Sequence, residues 1–226
     1  SSVFAQQVTL QYTAPSSVTI DNVGNYGYTL PNLNFTPGMF NLGCQISDVD
    51  VIINWAKTAG SCNSPTGGNS YHNETSFRVN APSGSQILAV PGTWSGAATT
   101  TNVITTFSQG PGIPSGTPVT GTFGPNNGNL TAYNGLTPFG NWNLSAGDNA
   151  AGDPLCLVSY SVRISTATDA TPPAITGAPG SITIAAASGQ CSAVHTWTTP
   201  GTTDACGATI ARTVGPPSGS TFPVGT

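Results

Sequence analysis

The stretch ISDVDVIINW, residues 46–55, sets the most restrictive condition on what this chain can fold into. After Ile46, Val49, Val51 and Ile53 alternate with Asp48, Asp50 and Asn54 except around Ile52. Such a segment is a strand with one buried face and one wet face. LVSYSVRIS, residues 157–165, is its counterpart, with Val158, Tyr160, Val162 and Ile164 on one face and Ser159, Ser161 and Arg163 on the other. The two strands are expected at the centre of a sandwich. Similar short runs recur at residues 8–12, 18–20, 75–80, 86–90, 101–107, 119–123 and 141–145, between clusters of Gly, Pro and Asn. No window of a dozen residues shows the three-and-four apolar spacing of a capped helix. The expected fold class is all-β.

Charge then narrows the partners. Only 5% of residues are charged, and 4 Lys and Arg stand against 8 Asp and Glu. No basic patch is available for a phosphate backbone, so nucleic acid is excluded, and anionic membranes are disfavoured for the same reason. No stretch approaches the roughly 20 apolar residues needed to span a bilayer as a helix. The opening SSVFAQQ is similar to the tail of a secretory signal, with Val3 and Ala5 fitting the small-residue cleavage rule and Gln6 as the mature first residue; a frayed strand end reads equally well.

Five cysteines, Cys44, Cys62, Cys156, Cys191 and Cys206, leave one thiol free in an exported chain or its partner missing. Cys191 and Cys206 flank an expected strand and hairpin and are assigned to each other. Cys62 lies past the end of one long strand and Cys156 near the start of another. Antiparallel pairing of those strands favours Cys62–Cys156, while Cys44–Cys62 and Cys44–Cys156 stay open.

The Pro pair ending STATDATPP, residues 165–173, cannot continue a central strand. The expected division is an N-terminal extension over residues 1–43, a sandwich over 44–166, a linker over 167–173 and a second module over 174–226, with strands at 181–185, 193–197 and 208–214. The last eleven residues, PPSGSTFPVGT, put Phe222 and Val224 two apart, as in a strand just beginning.

The second module carries Thr171-Pro172-Pro173, Gly189-Gln190-Cys191, Thr203-Asp204-Ala205-Cys206 and a closing run from Ser218 to Thr226. It resembles the hyalin repeat (HYR) family of immunoglobulin-like β-sandwiches. Two departures stand out: Gly177-Ala178-Pro179 replaces the family's early cysteine-proline step, and the closing strands after FPVGT are missing. The resemblance implies an incomplete sandwich, finished either by further chain or by a strand from a partner. Residues 44–166, through ISDVDVIINW, SFRVNAPSG and Gly140-Asn141-Trp142-Asn143-Leu144 followed by Asp148 and Asp153, resemble the P-domain of proprotein convertases. That implies a jelly-roll of about eight strands. Ser108 and Gln109 follow Phe107 where that family often has an acidic cluster. The combination is similar to large cell-surface adhesins of Bacteroidota, including gliding-motility adhesins.

Chemistry-bearing residues are few. His72 and Glu74 in SYHNET would share one face of a strand, yet no Ser sits in a nucleophile elbow, and His72 reads as a turn histidine held by a hydrogen bond. His195 reads as a surface or edge residue. No cofactor is required; calcium is the candidate ion, with Asp148, Asn149 and Asp153 as ligands joined by Asp48, Asp50 or Glu74. Trp55 and Trp142 read as core, and Trp94, in PGTWSG, is the candidate contact for a glycan.

The resulting expectation is a non-catalytic segment of a secreted bacterial cell-surface adhesin, a head or spacer leading into a repeat stalk. Its partners would be further repeats of its own chain, surface-anchoring proteins and surface polysaccharide. The alternatives are the accessory region of a secreted protease or other hydrolase, and a carbohydrate-binding module.

Overall fold

The computed structural model describes residues 6–40, 43–66, 68–204, 206 and 208–225. The chain divides into one unit ending at Thr168 and a second beginning at Asp169. The first unit contains, in order, β1 (Gln6–Ile20), β2 (Gly24–Thr29), β3 (Leu33–Phe35), β4 (Gln45–Lys57), β5 (Ala59–Ser61), β6 (Ser64–Thr66), β7 (Ser76–Ala81) and β8 (Gly84–Ala89). Then come β9 (Val103–Phe107), β10 (Gly121–Phe123), β11 (Gly140–Asp148) and β12 (Leu155–Ala167). The helical segments are short 3-10 turns, among them His72–Glu74. No helix among the described residues is long and apolar enough to cross a membrane.

Two sheets make a β-sandwich. One has the order β1-β12-β4-β9-β10; the other runs β2-β11-β7-β8, with β3 also on β11. The expected central pair forms: β12 runs antiparallel to β4, with Tyr160 opposite Ile53, Val162 opposite Val51 and Ile164 opposite Val49. A bulge between Leu157 and Ser159 shifts the phase, since the extra residue moves the following side chains to the other face. Leu155 and Leu157 therefore join Tyr160, Val162 and Ile164 in the core, and Val158, expected inward, is only half-buried.

The core is aromatic at its centre. Trp55 of β4 meets Phe77 of β7 edge-on at 5.3 Å, which joins the two sheets. Its indole N–H donates to Thr105 Oγ1 at 3.0 Å, and that of Trp142 donates to the Pro138 carbonyl at 2.8 Å, so neither ring buries an unpaired donor. The outward face of the central pair is not uniformly wet: Asp50 is buried beneath Arg163, which donates to its Oδ2 through Nε at 2.8 Å and Nη2 at 2.6 Å.

Residues 6–40 are built into the sandwich rather than set apart as an extension. β1 is an edge of the first sheet, β2 and β3 pair with β11, and Ile20, Leu30, Leu33, Phe35 and Phe40 are core residues. The sequence reading missed β2 and β3 because GNYGYT has no apolar alternation and LNF is too short to show any.

Among its described residues the second unit has four short strands, β13 (Ala174–Thr176), β14 (Ser192–Val194), β15 (Gly201–Thr203) and β16 (Thr221–Pro223). They form two separate antiparallel ribbons, β13 with β15 and β14 with β16. The strands expected at 181–185 and 208–214 do not form; those segments have the composition of strands but no neighbour to complete their ladders.

Candidate functional site

β4 ends at Lys57 in one sheet and β11 ends at Asp148 in the other. Lys57 is the only lysine in the chain, and its side chain is 0% exposed. Nζ lies 2.7 Å from Asp148 Oδ2, 3.2 Å from Asp153 Oδ2 and 3.2 Å from Glu74 Oε2, and it also donates to the Asp153 backbone carbonyl. Asp148 Oδ2 accepts in addition from the Leu155 N–H at 3.0 Å, and Asp153 Oδ2 from the Tyr71 N–H at 2.5 Å. Glu74 is brought in by the 3-10 turn that follows Tyr71.

One ammonium thus faces three carboxylates. Burial opposes the lysine's charge, but Asp148 and Asp153 outweigh it and leave the Lys57 pKa above its ordinary value. Burial raises the Asp148 and Glu74 carboxyls in spite of the pull of Lys57. His72 lies beside this cluster. It is fully buried, its Nδ1 donates to the Gly96 carbonyl at 2.6 Å, and its Nε2 is buried without a partner. Burial holds its pKa below the ordinary 6.5, and the neighbouring Lys57 charge acts the same way. His72 is the hydrogen-bonded turn residue expected; the 3-10 geometry removes the shared strand face supposed for His72 and Glu74.

The proposed calcium ligands do not converge. Asp148 and Asp153 are both committed to Lys57, whereas Asn149 is exposed and turned out of the cluster. The cation these carboxylates hold is the chain's own ammonium. Lys57 was passed over in the sequence because a single charged residue at a strand end normally points to solvent.

Trp94 also requires correction. It is 2% exposed, with its ring 5.1 Å from Trp55 and 6.3 Å from Phe77, so it cannot present a face to a sugar. The loop after β8 thus adds Trp94 to the core. Half-buried Trp197, in the second unit, is the accessible one: its ring lies 6.0 Å from His195 and 6.1 Å from Phe222. It lines an open apolar groove of about 560 Å³ together with Ile182, Ile184, Phe222 and Val224. Ser218 fixes the Trp197 backbone, accepting from its N–H and donating to its carbonyl, both at 2.8 Å.

The disulfide assignments divide. Cys62 and Cys156 are bonded, across a sequence separation of 94. Cys191 is an exposed free thiol, so the expected Cys191–Cys206 bridge is not formed. Cys191 leads into β14, and its carbonyl accepts from the Val224 N–H at 3.0 Å, while Cys206 follows β15 and is turned in by Asp204. The two cysteines belong to different ribbons.

Residues 168–226 match the HYR domain family. No curated protein matches the chain. Among solved structures the chain is similar to a serine protease of Aeromonas sobria, at 11% identity and a TM-score of 0.37, over 72% of this chain and 27% of that one. The match gives the second unit the character of a cell-surface or adhesion-type domain, and the Cys62–Cys156 bridge fits an extracellular setting.

Proposed function

We propose that these residues form a non-catalytic segment of a large secreted bacterial cell-surface adhesin, serving surface attachment and gliding motility. In this reading the first unit is a P-domain-like jelly-roll that acts as head or spacer, and the HYR-type unit leads into a stalk of further repeats. The observation that carries it is the HYR match over residues 168–226. A surface with few charges and a disulfide-linked sandwich suit a module that projects from a cell without attracting polyelectrolytes. The partners are further repeats of the same chain, proteins that anchor it at the cell surface, and surface polysaccharide.

In-frame removal of the codons for residues 168–226 from the producing bacterium tests it. Antibodies to the chain should label intact cells, and the deletion should abolish attachment to a solid surface. Failure to label unbroken cells, or unchanged attachment, would remove the adhesin reading.

A further inference from the structure

We propose that Lys57 and Asp148 condense to an intramolecular isopeptide bond, a covalent tie between the two sheets of the first unit, with Glu74 as proton relay. The geometry for it is in place. Nζ already lies 2.7 Å from Asp148 Oδ2, and both side chains are 0% exposed. Groups held at reacting distance gain an effective concentration on the order of 100,000 M or more, and exclusion of water favours the product, because water is what is released.

An ordinary buried ion pair does not account for the arrangement. One carboxylate balances the charge of one ammonium, and every further buried carboxylate adds a desolvation penalty unless it holds a proton. Here three surround a single Nζ. A second carboxyl touching the same nitrogen is what the condensation needs to move protons.

The step balances without any co-reactant. A proton passes from Nζ to a carboxylate of the cluster, and the freed lone pair attacks Cγ of Asp148. The tetrahedral centre carries its negative oxygen on the Leu155 N–H, which already donates to Asp148 Oδ2 at 3.0 Å. Glu74 passes protons to the other oxygen, which leaves as water. A C–N bond forms and a C–O bond breaks, so ammonium and carboxylate become an amide and one water, with no change of oxidation state.

Asp148 is the acceptor rather than its neighbours for reasons of position. Asp153 is farther from Nζ, and its Oδ2 is held by the Tyr71 N–H. Glu74 is 17% exposed, so water competes at its carboxyl, which suits a relay and not an acyl group.

The intact mass of the whole 226-residue chain, reduced and denatured, decides the matter. The expected value is one water below that of the sequence. Trypsin should then fail to cut after Lys57, and the peptide ending at Arg78 should remain joined to the peptide over 79–163 through Lys57 and Asp148. The full sequence mass, or a water loss mapped to Asp153, Glu74 or elsewhere, overturns the proposal. Lys57→Arg should restore the full mass; because that variant could fail to fold, the unmodified chain alone is decisive. Glu74→Gln should fold and accumulate at full mass, and a variant that loses water as completely as the parent would overturn the relay.

Discussion

Trp94 sits in a stretch, PGTWSG, that reads as an exposed turn, and nothing in its local pattern signals burial. Its environment is set by residues far away in the chain, Trp55 and Phe77, so only the fold reveals it. Trp94→Ala should therefore cost about 3–5 kcal/mol of stability in denaturant melts of the first unit, the usual price of emptying a large aromatic site. A loss below about 1 kcal/mol would show that the ring does not fill the core as described. Lys57 was illegible for the opposite reason: its type argues for solvent, and only the meeting of two strand ends from separate sheets with a 3-10 turn encloses it. His72 gives a pH test. Its folded pKa lies below its ordinary 6.5, so the folded state takes up the proton less readily than the unfolded chain. The stability it contributes is complete above pH 6.5 and falls as the pH drops toward the folded value, by up to about 1.4 kcal/mol per pH unit. Melts of the parent and of His72→Gln should diverge in pH dependence below that point, the variant losing less; parallel curves would place the imidazole in contact with water.

At the level of elements, the long strands were the legible part. The alternation of residues 46–55 and 157–165 pointed to both strands and to their adjacency, and that adjacency favoured the Cys62–Cys156 bond over Cys44–Cys62 and Cys44–Cys156. What alternation could not supply was the bulge at Leu157, which inverts the facing of half of β12, or the pairing of short segments whose partners lie far off in sequence. Replacing both Cys62 and Cys156 by Ser should lower stability by about 2–4 kcal/mol, because the bridge closes a long loop and restricts the unfolded chain. The second unit shows the limit of composition. Residues 181–185 look like a strand, but two-stranded ribbons bury too little to hold a third segment, and Ile182 and Ile184 stay exposed. Hydrogen exchange should reflect this: amides of β13 and β14 should exchange far faster than those of β4 and β12. Equal protection would mean that the ribbons are covered in solution by something that completes them.

Over the whole molecule, the scarcity of charge is the feature most plainly readable from the sequence and the one with the widest consequence. The four cations are all engaged. Lys57 and Arg163 hold carboxylates, Arg78 lies 5.2 Å over the Tyr26 ring, and Arg212 donates to the Gly215 carbonyl. With a net charge of -4 spread thinly over 226 residues, neither a patch of one sign nor a long-range field is available to steer a ligand. In the proposed adhesin role, attachment by such a surface would rest on apolar contact and neutral hydrogen bonds, and the open groove around Trp197 is of that kind. Binding of the chain to its surface, followed from about 50 to 500 mM salt, should therefore change less than roughly twofold, since screening acts only on charges. A partner recognised through its phosphates would instead weaken about a thousandfold or more over a comparable range. A steep salt dependence would instead place the contact on the acidic residues that outnumber the cations, and the apolar groove would not be the binding surface.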